Sequence, residues 1–530
     1  MAEFEKLIGG AEIGTNGLQE YSEVLGASDY VGKTSSQWRT NQSYSGLCIA
    51  FTAISSVSGA YQPSEQCMLT FKGSSVNLLN LDTNELNAGS SSPWKTLSSS
   101  YDVTSAVLFK ATTAVSGAYT VGQLCVLLIT QSTNVHLLNL STGTLTNNWK
   151  AKTTGNTYVK AIFKANSTVT GAYSTGDLCC AWIAPQGIDL LNLSTGAITV
   201  RWKAISTTTS NYSLVFQAKS TVSGSYNTGD LCFVAIGTGS GSYISLLNLA
   251  TGTYTYNWKT LNSAFRDTAF AFTATSNVAG AYSAGDLCMI MAPAEKQYYE
   301  LLNLSTGTLT SSWKPSSSNT TSIRAYTGTF MRATSNLSGA YSTGDLFLVV
   351  FFSGSSTCDL LNLSTGTVTK GWKSTGNYDK YNTLSFRATQ DYSTRWSAGD
   401  LVCLLLNNGT SSAGILNFTT GQVYTSALSQ SGYNSCNVVF RAKQNISNLA
   451  SVGDLCVALL SDNSNYISFI NLGAASQVSI NNTSQGYTNS VKGVTNIYGY
   501  GYIPLDTSFM ETSQLNDLVT DNKYNGCYMI

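Results

Sequence analysis

The aspartates that recur along this 530-residue chain are the first candidates for chemistry, because a carboxylate can bind a cation or act as a base. Each closes a loop of the form GAYSTGD: Asp177, Asp230, Asp286, Asp345, Asp400 and Asp454. Calcium takes about six to eight oxygen ligands, whereas each of these loops offers a single carboxylate. The first two copies of the loop carry Gln66 and Gln123 at this place, which lack the charge that a metal site needs. We therefore expect these side chains to cap amides in turns and to have a structural role.

Cysteine and histidine are the other reactive side chains. Six of the twelve cysteines open an apolar run after the GAYSTGD loop: Cys67, Cys125, Cys179, Cys232, Cys288 and Cys456. The sixth copy has Phe347 there, which indicates an apolar filler, and sheets packed about 10 Å apart exceed the ~7 Å between Cα atoms that a disulfide spans. We therefore expect reduced, buried thiols. The single histidine, His136, excludes a multi-histidine metal site and argues against a Ser-His-Asp triad, so we expect no catalytic set and no cofactor.

The elements that position these residues repeat eight times. The motif LLNL begins at Leu78, Leu137, Leu190, Leu246, Leu301 and Leu360, and it returns in altered form at Ile415 and Phe469. A spacing of 53 to 59 residues defines a repeat architecture. Each copy contains an alternating run a, the GAYSTGD loop, an apolar run b, a variable loop, the LLNL run c, an STG turn and a polar run d that ends at Trp.

The short apolar runs, bounded by Gly, Ser, Thr and Asn, predict four β-strands in every copy. Runs b and c are apolar throughout, so both faces of each four-stranded unit must be covered by neighbouring units. A ring of radially arranged sheets does this, whereas the coils of a β-helix are far shorter than the repeat. The sequence therefore predicts an all-β fold, an eight-bladed β-propeller of four-stranded antiparallel blades over residues 40–480. Strand d of copy eight should end near Ile480, unless the N-terminal SSQWRT supplies that strand.

Two extensions flank the predicted ring. Residues 1–39 contain LQEYSEVLG, which is typical of a short helix, and residues 481–530 are rich in Tyr and Gly. Neither segment can form a core by itself, so we expect both to pack on the propeller or on another subunit.

The hairpin LLNLSTGTLTNNWK resembles the tryptophan-docking motif of pyrroloquinoline-quinone-type propellers, in which an Asp or Asn, a Thr-Gly turn and a Trp recur once per blade. The matching residues in copy two are Asn139, Thr142, Gly143 and Trp149, and four further copies match at Trp202, Trp258, Trp313 and Trp372. The resemblance covers residues 40–480 and implies an eight-bladed ring. Six residues separate Gly from Trp here, more than in the family, and Ala427 replaces the seventh tryptophan. Because a large flat side chain recurs at one position per blade, we expect the tryptophans to fill gaps between blades.

The two faces of the predicted ring differ in sequence. Loops a–b and c–d lie on one face, the repeated face, where the GAYSTGD and STG motifs recur. Loops b–c and d–a lie on the other, the variable face, where the sequence differs from copy to copy. Binding residues are usually on loops held by a rigid frame, so we expect recognition on the variable face. The candidate ligand-binding residues stand where strand c begins: Tyr243, Tyr298, Tyr299, Glu300, Asp359 and Tyr466.

Composition restricts the partners. Only 11% of residues are charged, against about 25% in ordinary soluble domains, and the formal net charge is zero. There is no basic patch for nucleic acid, no run long enough to insert in a membrane, and no secretory signal in MAEFEKLIGGAEIG.

The hydroxyl- and amide-rich composition resembles that of bacteriophage adhesins and fibres. The leading hypothesis is a non-enzymatic structural or adhesion protein of a virion, an extracellular particle. The chain would form part of an oligomeric tail or capsid appendage with other virion proteins, and it would bind a host-surface glycan or protein. One alternative is a lectin-like carbohydrate-binding propeller, which predicts repeated pockets. A second alternative is a quinone-type dehydrogenase, which needs a central Asp base, a calcium site and an Arg.

Overall fold

The computed structural model describes most of the chain between residues 30 and 481 and two short N-terminal segments. The described ranges are 11–13, 19–21, 30–40, 48–98, 103–153, 160–184, 187–204, 210–237, 243–262, 268–292, 298–317, 324–353, 355–376, 379–388, 390–408, 412–429, 434–461, 466–473 and 477–481. Of the expected extensions 1–39 and 481–530, the structure describes residues 11–13, 19–21, 30–39 and 481. No helix in the described ranges is long and apolar enough to cross a membrane.

The strands form eight antiparallel blades of four strands, as the repeat predicts. Strands a are Cys48–Thr52, Val103–Lys110, Lys160–Lys164, Ser210–Gln217, Thr268–Thr273, Arg324–Arg332, Asp379–Arg387 and Asn434–Arg441. Strands b are Gln66–Lys72, Leu124–Thr130, Leu178–Ala184, Leu231–Gly237, Leu287–Ala292, Leu346–Ser353, Leu401–Asn408 and Leu455–Ser461. Strands c are Ser75–Asn80, Asn134–Asn139, Gly187–Asn192, Tyr243–Asn248, Tyr298–Asn303, Thr357–Asn362, Ser412–Asn417 and Tyr466–Gly473.

Strands d complete each blade on its outer edge. In blades two to seven they are Thr144–Ala151, Ile198–Ala204, Thr253–Thr260, Thr308–Pro315, Thr367–Ser374 and Val423–Ser429. Blade one has two short pieces instead, Glu85–Leu86 and Lys95–Thr96, with the 3-10 turn Asn87–Gly89 between them. From blade three through blade eight to blade one, strands a of successive blades contact one another, which places them around the axis of the ring.

Burial follows the predicted pattern of the strands. Every residue of Leu124–Thr130 is buried, because strand b has a neighbouring blade on each face. By contrast, Thr144–Ala151 contains half-buried and exposed residues and no fully buried one, as expected for a polar strand on the outer rim. The core therefore lies between the blades, and one of its clusters joins residues of blade eight to residues of blade one.

The N-terminal segment supplies strand d of blade eight. Thr34–Thr40 pairs with Tyr466–Gly473, so the SSQWRT alternative is the one that the structure adopts. Gly32, with φ 73°, donates its amide to the Asn471 carbonyl at 2.9 Å, as the turn glycines do in other blades. The eighth blade is therefore assembled from two distant segments of the chain, one ending at Thr40 and the other beginning at Asn434.

The end predicted for copy eight is wrong. Gln477–Asn481 pairs with strand a of blade seven, Asp379–Arg387, and does not form strand d of blade eight. Thr34–Thr40 occupies the strand d position of blade eight, so Gln477–Asn481 pairs instead with the inner edge of blade seven. Gln19–Tyr21 pairs with Gln477–Val478 and with Ala11–Ile13, so this part of the expected N-terminal helix is a strand.

The six cysteines that open the apolar run of strand b are buried free thiols. The same holds for three others, and the described set is Cys67, Cys125, Cys179, Cys180, Cys232, Cys288, Cys358, Cys403 and Cys456. Cys48, in strand a of blade one, is disulfide-bonded. The expectation of reduced thiols throughout is therefore wrong for Cys48.

Candidate functional site

The third residue of strand c differs from blade to blade, and it is buried in every blade. Asp189 in blade three is inaccessible to solvent. Its Oδ1 accepts hydrogen bonds from the Arg201 amide and the Thr153 hydroxyl, both at 2.7 Å, and its Oδ2 accepts one from the Thr153 amide at 2.8 Å. Arg201, with φ 53°, stands in a bulge of strand d, and Thr153 follows strand d of blade two. The carboxylate thus caps the bulge and connects two blades.

Asp359 does the same in blade six. Its Oδ1 accepts from the Gly371 amide in the strand d bulge at 2.9 Å, and its Oδ2 accepts from the Ser317 amide of the preceding connection at 2.8 Å. The Tyr299 hydroxyl of blade five donates to the same Oδ2 at 3.0 Å. All of these contacts hold the frame together.

Tyr299, Glu300 and Asp359 are therefore not surface contacts, contrary to the expectation from sequence. Tyr299 and Asp359 are fully buried, and Glu300 is 4% exposed and accepts a hydrogen bond from the Asn262 amide at 3.2 Å. Burial, followed by the negative charge of Asp359, raises the pKa of Tyr299 well above its ordinary value. His136 holds the place of Asp359 in blade two, where its Nδ1 lies 3.2 Å from the Asn148 amide nitrogen and 3.0 Å from Asn147 Oδ1, and burial lowers its pKa.

The other three tyrosines reach the variable face at separate places. Tyr298 is 44% exposed, and Tyr243 is half-buried with its ring 4.6 Å from that of Tyr256. Tyr466 is half-buried in blade eight, three blades away from Tyr298. The structure does not bring these residues into one site. Most residues of the b–c loops that would surround them, at 185–186, 238–242, 293–297, 354, 409–411 and 462–465, lie outside the described residues.

On the repeated face, the aspartate and the LLNL asparagine lock two loops together. Asp345 Oδ2 accepts from the Ser342 amide at 2.9 Å and from Asn362 Nδ2 at 2.8 Å. Asn362 Oδ1 in turn accepts from the Ser364 and Thr365 amides of the c–d turn. Equivalent pairs are Asp177–Asn192, Asp230–Asn248, Asp286–Asn303, Asp400–Asn417 and Asp454–Asn471.

The first two blades use other acceptors at this position. In blade two, Gln123 Oε1 accepts from the Thr120 amide and from Asn139 Nδ2, so the neutral amide reproduces both contacts. In blade one the acceptor is Glu65, which binds Asn80 Nδ2 at 2.7 Å. Glu65 therefore holds the position of the aspartate in blade one, and Gln66, which the sequence pattern places there, is the next residue.

In blades one to six the tyrosine of the same loop connects the blade to the next one, whereas blades seven and eight have Trp396 and Ala450 at this position. The Tyr282 hydroxyl donates to the Leu363 carbonyl at 2.7 Å, across the gap between blades five and six. Matching bonds are Tyr61 to Leu140, Tyr119 to Leu193, Tyr173 to Leu249, Tyr226 to Leu304 and Tyr341 to Phe418. The tyrosine of the GAYSTGD loop thus forms a clamp between neighbouring blades.

The repeated tryptophan lies beside this clamp. The Trp202 ring is 5.8 Å from the Tyr173 ring, and the next lysine, Lys203, holds its Nζ 4.8 Å from the Trp202 centroid. A Cβ added to Gly252, in the turn of the next blade, would lie 3.7 Å from the Trp202 ring. Trp94 has the corresponding place in blade one, with Lys95 at 5.0 Å. Sequence comparison of the copies missed Trp94 because the strand before it is interrupted.

A pocket opens on this face between the a–b loop and the c–d hairpin of one blade. Its volume is about 460 Å³ in blade six and about 350 Å³ in blade two. The lining comes from the same repeat positions in both blades. In blade six it includes Ser338, Tyr341, Ser342, Thr365, Thr367 and Thr369. In blade two it includes Ser116, Tyr119, Thr120, Thr142, Thr144 and Thr146. Within the described ranges, no group of three or more His, Cys, Asp or Glu is placed to hold a metal.

Comparison with known proteins finds distant structural likenesses. No protein-family model and no curated protein matches the chain, so the resemblance to the quinone repeat stays a prediction. Among solved structures, dihydro-heme d1 dehydrogenase NirN is 12% identical with a TM-score of 0.40, covering 83% of this chain and 82% of its own. The WD40 domain of SCAP from fission yeast is 8% identical with a TM-score of 0.38, over 83% and 94%. The V. cholerae biofilm matrix protein Bap1 is 11% identical with a TM-score of 0.38, over 89% and 94%. At these values the likenesses carry no inference about activity.

Proposed function

We propose that this chain is a non-enzymatic structural and adhesion protein, carried on a virion as part of a bacteriophage tail or capsid appendage. The supporting observation is that the carboxylates best suited to chemistry are hydrogen-bonded within the ring. The buried carboxylates Asp189 and Asp359 each accept at least three hydrogen bonds that cap a bulge and connect blades. The repeated aspartates cap turns in the same way. These groups stabilise the ring, and a rigid ring is what a surface appendage requires.

The exposed residues suit a particle surface. Charged residues are 11% of the chain, and polarity comes from Ser, Thr, Asn and Gly. Such a neutral surface adds little long-range electrostatic attraction or repulsion, so contact with a partner depends on short-range hydrogen bonds and aromatic contacts. Tyr298 and Tyr256, both more than 40% exposed on blades five and four, are available for such contacts.

Immunogold electron microscopy of native material tests the particle assignment. Antibody raised against the recombinant chain should label the surface of virions and should sediment with them. Label confined to material that does not sediment with particles contradicts the proposal. An absorbance scan of protein from the same material tests the non-enzymatic part, since a bound quinone chromophore contradicts it.

A further inference from the structure

A row of hydroxyl groups lines the pocket of the repeated face. Thr365, Thr367 and Thr369 lie on one side of their hairpin, because alternate residues of a strand face the same way. Thr365 Oγ1 donates to Thr367 Oγ1 at 3.0 Å. The same bond, also at 3.0 Å, joins Thr142 to Thr144, Thr251 to Thr253 and Thr306 to Thr308 in blades two, four and five. The orientation of these hydroxyls is thus fixed in advance of any ligand.

The pocket lining contains one charged side chain in blade six and none in blade two. The lining in blade two contains no ionisable acid or base other than the buried Tyr119, and Gln123 stands where other blades have Asp. In blade six the Asp345 carboxylate already accepts from the Ser342 amide and from Asn362 Nδ2. A charged ligand would lose hydration without gaining a counter-charge, which is unfavourable. A neutral ligand rich in hydroxyl groups matches the donors and acceptors that are present.

The size and repetition of the pocket agree with a small ligand bound several times. Volumes of about 350 and 460 Å³ lie in the range of about 300–1,000 Å³ that is usual for ligand sites. Weak sites on one rigid ring can act together on a surface that carries many copies of the ligand.

We propose that the pockets of the repeated face bind neutral carbohydrate, with at least two sites per chain, in blades two and six. This inference rests on the proposed adhesive role and gives it a ligand class. It also places carbohydrate recognition on the repeated face, whereas the sequence predicts recognition on the variable face. In blade three Ala197 replaces the second threonine of the row, so that blade should bind more weakly.

Titration of the full chain with methyl glycosides tests the proposal. The neutral probes are the glycosides of glucose, galactose, mannose and N-acetylglucosamine, and the charged probes are those of sialic acid and galactose 6-sulfate. At least one neutral glycoside should bind to two or more sites per chain. The proposal is overturned if no neutral glycoside binds, or if only the charged glycosides bind.

Two double variants locate the sites. Thr142→Val with Thr144→Val removes hydroxyls from blade two, and Thr365→Val with Thr367→Val does so in blade six, while Val keeps the branched shape. Each pair should remove one site, and Thr260→Val, an exposed strand d residue outside both pockets, should remove none. A site count that neither pair changes overturns the assignment.

An occluding variant keeps the test valid if a double variant fails to fold. Gly339 and Gly117 line the pockets at φ 75° and 73°, and a Cβ added to either meets nothing within 4 Å. Asn tolerates positive φ, so Gly339→Asn and Gly117→Asn should fold and obstruct one pocket each. Failure of carbohydrate binding leaves the particle-labelling result unaffected, so the two proposals can fail separately.

Discussion

Arg39 donates from its Nε to the main-chain oxygen of Asn84 at 3.0 Å, and this bond joins blade eight to blade one. Asn84, at φ 65°, holds the place of the turn glycine in blade one. The Arg39 guanidinium also lies 5.4 Å from the Trp38 ring, as a lysine lies over the tryptophan in other blades. The junction that closes the ring therefore keeps the cation over the tryptophan that other junctions have, although its two sides are encoded far apart and Ala450 stands where blades one to six have the tyrosine.

Replacing Trp38 with Ala should open this junction. Trp38 is 6% exposed, and its ring lies 5.9 Å from Phe440 and 5.1 Å from Phe469. Truncating a buried Trp costs about 3–5 kcal/mol of unfolding free energy. Chemical denaturation should show that loss, and Trp94→Ala, at a half-buried ring, should cost clearly less. Equal losses in the two variants would contradict the special position of Trp38.

The sequence contained a signal for this closure. Gly32 precedes Trp38 by six residues, as Gly143 precedes Trp149, and Arg39 follows Trp38 as a lysine follows the other tryptophans. Aligning this segment with the turn glycine, the tryptophan and the following cation of the other copies predicts that it forms strand d of blade eight. The pairing of Gln477–Asn481 with blade seven had no such signal, because it depends on which sheet edge is free after the ring has closed.

Tyr299→Ala should lower the unfolding free energy strongly, whereas Tyr298→Ala should hardly change it. Tyr299 is fully buried and donates to Asp359, so its loss should cost about 3–5 kcal/mol, the usual range for a large buried aromatic residue. Tyr298 is 44% exposed, and its loss should change the unfolding free energy by no more than about 0.5 kcal/mol. Thermal and urea denaturation of the two variants measure this. A Tyr299→Ala variant as stable as the unchanged chain would contradict the buried position of Tyr299.

The error at Tyr299 has a physical origin that the repeat itself reveals. Val135, Ile188 and Ile244 occupy the same position in strand c of other blades, and all are buried. Tyrosine is common at exposed binding surfaces, and this general tendency outweighed the position in the repeat. The buried carboxylate of Asp359 was harder to predict, because its donors come from the strand d bulge and from the preceding blade.

Alkaline pH should destabilise the ring through its buried thiols. Burial raises the pKa of Cys125 from its ordinary value of 9.0 to about 12. The folded state then retains a proton that the unfolded state loses, so this contribution is complete below about pH 9 and is lost as pH rises towards 12. Urea denaturation at increasing pH should show a falling free energy of unfolding. Cys125→Ala should give a shallower fall over the same interval, and a slope identical to that of the unchanged chain would contradict the assignment.

Gly307→Ala and Gly280→Ala separate backbone strain from packing between blades. Both glycines have positive φ, 70° and 72°, so both substitutions carry a strain of about 1–3 kcal/mol. A Cβ at Gly307 would also lie 2.6 Å from Val222 of the preceding blade, whereas a Cβ at Gly280 meets nothing within 4 Å. Gly307→Ala should therefore lower the unfolding free energy by more than Gly280→Ala does. Val222→Ala makes room for the added methyl group, so it should reduce the difference between the two glycine variants. If Gly280→Ala proves the more damaging, the turn glycine is not selected by contact with the neighbouring blade.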